Sequence, residues 1–177
     1  ERTLSILNGV KTVYDTDVFE DAKLCIERLT GLKYGENEEQ TKAFRIVLDH
    51  TRTATFMLGD PKGVTPSNVD QGYVLRRVIR RAVRYGRQLG IEQGNLSTIA
   101  VKYIEKYQSV YPELLENKDK IISELNKEEE KFSKTLTEGL KEFNKVVTHI
   151  SGDIFPGKTA FRLFDTFGFP IEITTEL

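Results

Sequence analysis

Cysteine occurs once in this chain of 177 residues, at Cys25, and histidine only at His50 and His149. A single cysteine excludes an internal disulfide framework and suggests a reducing compartment. With so few ligand-type side chains, a zinc site of cysteine and histidine is untenable, and no metal site is expected. No run approaches the ~18 apolar residues of a membrane-crossing helix, so no membrane partner is expected and the expected location is the cytoplasm. Charge of one sign is not in excess either. Lys and Arg total 26 against 27 Asp and Glu, a net charge of −1, which excludes a globally basic nucleic-acid binder but not a local basic patch. A phosphate-cradling glycine loop, paired catalytic carboxylates and a partnered nucleophile are all missing, so no catalytic residue is expected. A signal-peptide pattern is absent too. The chain opens Glu1-Arg2-Thr3 and closes Thr174-Thr175-Glu176-Leu177, and both ends read as cut from something longer.

Strand-like alternation is nearly absent, whereas apolar residues at helical spacing recur throughout. The expected fold is all-α, a multi-helix bundle with at most a minor β-hairpin around 147–155. Residues 1–8 read as the last turns of a helix stopped by Gly9. Asp15 or Asp17 caps the next helix, which carries Val18, Ala22, Cys25, Ile26 and Leu29 inward and ends at Gly31. A polar loop over 31–39 leads into a third helix over 41–58, with Phe44, Val47, Leu48, Thr51, Ala54 and Leu58 on one side. Further helices are expected over 72–89, 96–107, 118–147 and 159–167, with a break at Pro112 and a turn over 151–157. A boundary between two helical subdomains is expected near 90–95 or near Gly152. In 113–145, nine acidic and seven basic residues intermix. That mixture reads as a salt-bridged solvent face over a stripe of Leu125, Phe132, Leu136, Leu140, Phe143 and Val147.

The most informative stretch runs from Tyr73 to Arg87. Pairs of apolar residues alternate with pairs of arginines at a period of four. On a helix, Leu75, Val78, Ile79, Ala82 and Val83 form one buried stripe, and Arg76, Arg77, Arg80, Arg81, Arg84 and Arg87 take the rest of the circumference. Like charges one turn apart repel by about 0.2–0.5 kcal/mol per pair. Either carboxylates elsewhere in the chain or an external polyanion must offset this. The planar guanidinium suits both, because it grips carboxylate or phosphate through parallel hydrogen bonds.

Three smaller features carry two readings each. Asn68, in Pro66-Ser67-Asn68, is a turn or N-cap residue or a ligand contact. Asp165, in Phe161-Arg162-Leu163-Phe164-Asp165-Thr166-Phe167-Gly168-Phe169, caps a helix or pairs with Arg162, or else is a carboxylate placed by aromatic packing to accept a ligand hydrogen bond. His50, in Asp49-His50-Thr51-Arg52, is structural or an acid–base group.

Residues 45–53 (RIVLDHTRT), 66–68 (PSN), 72–84 (GYVLRRVIRRAVR), 14–17 (YDTD) and 163–170 (LFDTFGFP) together resemble alanyl-tRNA synthetases, in family order and across nearly the whole chain. The resemblance implies the helical tRNA-recognition region that follows a class II catalytic core. Residues 1–9 would be the end of that core, with Arg2 in the ATP-contacting position of its third motif. Residues 10–150 would form the helical tRNA-recognition domain, and 151–177 a short helical segment completing it. The implied whole enzyme joins alanine to tRNA(Ala) through an alanyl-adenylate, using ATP and Mg2+, with zinc bound outside this region, and this part alone is expected to be inactive. Family members read a G·U wobble pair in the acceptor stem, whose unpaired guanine amine faces the minor groove as a donor. The matching acceptors are Asn68 and Asp165, while Arg76, Arg77, Arg80, Arg81 and Arg84 would hold phosphates. Phe164 and Phe167 stand where tyrosine is common in the family. A stand-alone helical RNA-binding module and a structural helical scaffold are the alternatives.

Overall fold

The computed structural model describes residues 1–150, 154–169 and 171–176. Among these, nine α-helices and one 3-10 turn follow in the order α1 (Arg2–Leu7), the 3-10 turn Val13–Asp15, α2 (Asp17–Thr30), α3 (Glu38–Gly59), α4 (Asp70–Gln88), α5 (Leu96–Tyr107), α6 (Pro112–Glu116), α7 (Lys118–Val147), α8 (Gly157–Phe167) and α9 (Ile171–Glu176). No strand occurs among the described residues, so the all-α expectation holds. The described part of the suspected hairpin is the end of α7 and a turn after it; residues 151–153 lie outside the described residues.

The chain divides into two compact units, Glu1–Glu129 and Glu130–Leu177. The division falls inside α7 rather than at the glycine-bearing turns near 90–95 or 152. In the first unit α3 packs along α4, and α5 packs on α2 and α3, with α6 closing against α3 and α5. Phe44, Val47, Leu48, Ala54 and Leu58 of α3 are fully buried, as are Leu75, Ile79 and Ala82 of α4. Tyr103 of α5 is also buried, and its hydroxyl donates to the Leu48 carbonyl at 2.9 Å. In the second unit Phe132, Leu136 and Phe143 of α7, Ala160 and Leu163 of α8 and Ile173 of α9 are buried, with Phe169 fully buried beside Phe132.

The starts and stops follow local chemistry. Asn37 caps α3 by accepting the Gln40 N–H at 2.8 Å, so the helix begins three residues earlier than the polar composition of 31–39 indicates. Gly31 ends α2 in the left-handed conformation, at φ 73°. Pro112 opens the five-residue α6 at its first turn, where its missing N–H costs nothing.

Candidate functional site

Helix α4 carries the arginines, and its first turn is locked to the Pro66-Ser67-Asn68 loop. The Ser67 N–H donates to the Gly72 carbonyl at 3.1 Å, and the Ser67 hydroxyl donates to the Val69 carbonyl at 2.9 Å. Gly72 is buried beneath this loop. A Cβ there would lie 2.5 Å from the Thr65 carbonyl oxygen and 2.9 Å from Ser67 Cβ, so glycine is needed for the approach. The N-cap residue of α4 is Val69, which has no side-chain cap. The N-cap expectation for Asn68 therefore fails: its side chain turns instead to α4's second turn, where Arg76 Nη1 donates to Asn68 Oδ1. Asn68 itself is exposed.

The arginines have different surroundings. Arg80 is taken inside: its side chain is 4% exposed, and Nε donates to Glu128 Oε1 of α7 at 2.6 Å, with Glu128 itself 7% exposed. Arg76 is half-buried one turn earlier, and its pKa is lowered by that burial and by the nearby positive charge of Arg80. Arg77 is exposed, whereas Arg81 and Arg84 are half-buried. The Arg81 and Arg84 guanidiniums lie 5.7 and 4.8 Å from the Tyr85 ring centroid.

His50, half-buried on α3, bridges to this face. Its Nδ1 lies 3.0 Å from Asp49 Oδ2, and Arg81 Nη1 donates to its Nε2 at 3.1 Å. A proton on Nδ1 satisfies both bonds, leaving Nε2 as acceptor. The His50 hydrogen bond holds the Asp49 carboxyl below the usual aspartate range despite its burial. His50 thus orients an arginine rather than standing alone on a helix surface. Two residues escape the sequence pattern altogether. Glu128 and Glu129 sit in what reads as a solvated face, yet both are buried. Glu129 accepts backbone N–H groups of Gly94 and Leu96 at the start of α5, and burial raises its pKa.

Asp165 belongs to the second unit and is exposed in the last turn of α8. Its expected partner, Arg162, pairs instead with Glu142 of α7. Nor does Asp165 cap the helix, which ends at Gly168 in the left-handed conformation with the Phe169 N–H on the Leu163 carbonyl. A carboxylate near a helix C-terminus is disfavoured by about 0.3–1 kcal/mol. The phenylalanines beside it are not all packed: Phe161 is 65% exposed, while Phe169 is fully buried. Asn68 belongs to the first unit and Asp165 to the second. Arg2 is exposed at the start of α1. No group of three or more His, Cys, Asp or Glu able to hold a metal ion occurs among the described residues, and no described helix is long and apolar enough to cross a membrane.

The family model for class II tRNA synthetases of the A type matches residues 1–177. The chain is similar to the alanine–tRNA ligase of Borrelia hermsii (strain HS1 / DAH), at 49% identity over 177 residues covering 100% of this chain and 30% of that protein. It is similar also to the alanine–tRNA ligase of Treponema pallidum (strain Nichols), at 47% over 180 residues with the same two shares. For the ligase of Carboxydothermus hydrogenoformans (strain ATCC BAA-161 / DSM 6008 / Z-2901), the identity is 41% over 180 residues and the share of that protein 20%. The chain thus spans less than a third of the length of these relatives. On this match across all of its residues, the chain belongs to the class II alanine–tRNA ligase family.

Proposed function

We propose that this region recognises the acceptor stem of tRNA(Ala) within a ligase that attaches alanine to that tRNA through an ATP-dependent alanyl-adenylate. The observation that carries the proposal is the anchored Asn68 loop at the head of the arginine-rich helix α4. An exposed acceptor beside a row of guanidiniums suits an RNA stem, with cations on the phosphates and a short polar side chain on a base edge. Asn68 and Asp165 read the guanine amine of the G·U pair. Asp165 fits that role because its unfavourable position at the end of α8 is offset by neither Arg162 nor the helix cap. Arg77, Arg81 and Arg84 hold phosphates; Tyr85 partly fixes the direction of Arg81 and Arg84, His50 that of Arg81, and Arg77 lies 6.0 Å from the Tyr73 ring centroid. Arg80 serves a different purpose, anchoring α4 to Glu128.

On the same reading, residues 1–9 end the catalytic core, 10–150 form the recognition domain and 151–177 complete it, with the cytoplasm as the place of action. The exposed Arg2 would contribute to the ATP site of the whole enzyme. On this proposal ATP and Mg2+ serve the whole enzyme, and its zinc lies outside this region. The test is binding and charging of acceptor-stem hairpins by the full-length protein. Asn68→Ala and Asp165→Ala should each remove the preference for a G·U over a G·C pair while adenylate formation survives. Unchanged preference in both variants would refute the assignment. A parent protein that binds no hairpin even at low salt would favour a scaffold instead.

A further inference from the structure

We infer that Arg76 is not a phosphate contact but the positioning residue for Asn68, fixing which end of its amide is offered to the RNA. The inference rests on the reading of Asn68 as a base contact and adds a residue to it. An asparagine amide has an acceptor end and a donor end that differ little in shape, and an exposed one samples both orientations. A guanine amine is a donor and can be read only by the oxygen. In this structure the Asn68 oxygen is turned toward α4 and accepts from Arg76 Nη1. A carbonyl oxygen has two lone pairs, so one remains for a second donor.

The surroundings of Arg76 suit it to this task. Its one-turn neighbour Arg80 has Glu128 for a partner, so that carboxylate is engaged within the interior. Burial and the positive charge of that neighbour lower the Arg76 pKa. The Arg76 guanidinium also lies 5.8 Å from the Tyr73 ring centroid, a ring it shares with Arg77 at 6.0 Å. The backbone of the Asn68 loop is held in turn by the Ser67 to Gly72 hydrogen bond. Loop, helix and guanidinium thus define a single amide orientation before any RNA arrives, and the ordering of that side chain is not left to binding.

A phosphate-holding arginine and a positioning arginine give opposite signatures. Loss of a phosphate contact weakens binding of every stem alike and lowers the salt slope by roughly one. Loss of a positioning contact lowers discrimination and leaves the slope alone. The experiment measures binding of G·U and G·C acceptor-stem hairpins by full-length parent, N68A, R76A, R76K and N68A/R76A at several salt concentrations. We expect R76A to reduce the G·U preference roughly 3- to 10-fold, the scale of ordering one polar side chain on binding. R76K, which keeps a charged donor, should retain part of that preference. The double variant should be no worse than N68A. Equal melting temperatures of parent and R76K guard against a folding artefact. An R76A protein with undiminished or increased G·U preference overturns the inference. If N68A also keeps the preference, the base-reading role of Asn68 falls with it; if N68A loses it while R76A does not, only the inference about Arg76 falls.

Discussion

The Arg80–Glu128 pair offers the sharpest test of how this fold is held. The two side chains are 4% and 7% exposed and meet at 2.6 Å, joining residues 48 apart in sequence. A surface pair of this kind contributes about 0–1 kcal/mol. Burial changes the arithmetic, because each ion has lost its hydration and has its partner as replacement. Glu128→Ala should therefore take a buried countercharge from the Arg80 guanidinium and destabilise the first unit by about 3–5 kcal/mol. At about 3 °C per kcal/mol for a chain of this size, the midpoint of thermal unfolding should drop roughly 9–15 °C. Glu128→Gln keeps an acceptor oxygen but not the charge, and should fall between parent and alanine variant. Replacing both partners, as in Arg80→Met with Glu128→Leu, removes the two desolvation costs together. That double variant should lie within about 2 kcal/mol of the parent, on either side. Urea denaturation followed by helical circular dichroism measures all four. A Glu128→Ala cost under about 1 kcal/mol would show that the pair behaves as a solvated one and would refute the buried anchor. The same double variant bears on function. If Arg80 anchors the helix rather than holding RNA, its removal with Glu128 should leave the salt slope of RNA binding unchanged.

Arg77→Ala and Arg84→Ala should each lower that salt slope by roughly one without altering the G·U preference, as read by binding titrations at several salt concentrations. Gly72→Ala should drive the Asn68 loop off α4, because the new methyl would lie 2.5 Å from the Thr65 carbonyl oxygen; a stability loss of about 1–3 kcal/mol is expected, together with loss of G·U preference in hairpin binding. Glu129→Gln should flatten part of the pH dependence of stability. Burial raises the Glu129 pKa above its ordinary 4.5, so just above pH 4.5 the native state binds more protons than the unfolded one, and parent stability falls as pH rises through that window. Denaturation from about pH 4 to 7 should show this slope in the parent and its reduction in the glutamine variant. Gly139→Ala should overpack the second unit by about 1–3 kcal/mol, since its methyl would meet the Phe169 ring at 2.9 Å, and the melting midpoint of that unit reports it.

Most of the helical frame is legible in the sequence because it rests on local rules. Apolar residues at helical spacing place Ala22, Cys25 and Ile26 inward on α2, and the whole expected stripe of α3 is buried. Where the observed boundaries depart from that pattern, a short-range signal is present but outweighed. Asn37 with Gln40 is a capping pair, Nδ2 of the first donating to Oε1 of the second at 3.0 Å, inside a stretch that looks like loop by composition. Pro112 reads as a break but serves as a first-turn residue. Helix α9 is too short for periodicity to register, and its fully buried neighbour Phe169 belongs to a Gly-Phe-Pro segment that reads as a stop. The division between Glu129 and Glu130 has no composition mark, because one helix runs through it.

The site is harder to read for a different reason. Helical spacing separates the apolar stripe of α4 from its arginines, but it says nothing of what each arginine meets. That depends on residues brought in from elsewhere: Glu128 for Arg80, His50 for Arg81, and the returning loop with Asn68 for Arg76. Glu128 and Glu129 make the point from the acidic side. Adjacent residues on a helix point about 100° apart, so both can be buried only where the helix is contacted on two sides. Helix α7 meets that condition, with α4 beside Glu128 and the start of α5 beside Glu129. A run of glutamates and lysines therefore reads as solvated until the neighbours are known. The consequence for function is a division of labour within one helix. On the proposed reading, the arginine paired with Glu128 inside fixes α4 in place, and the more exposed arginines of the same helix face the RNA. On that reading a row of six similar side chains yields an anchor, a positioning contact and a cationic face, distinguished by their partners rather than by their own chemistry.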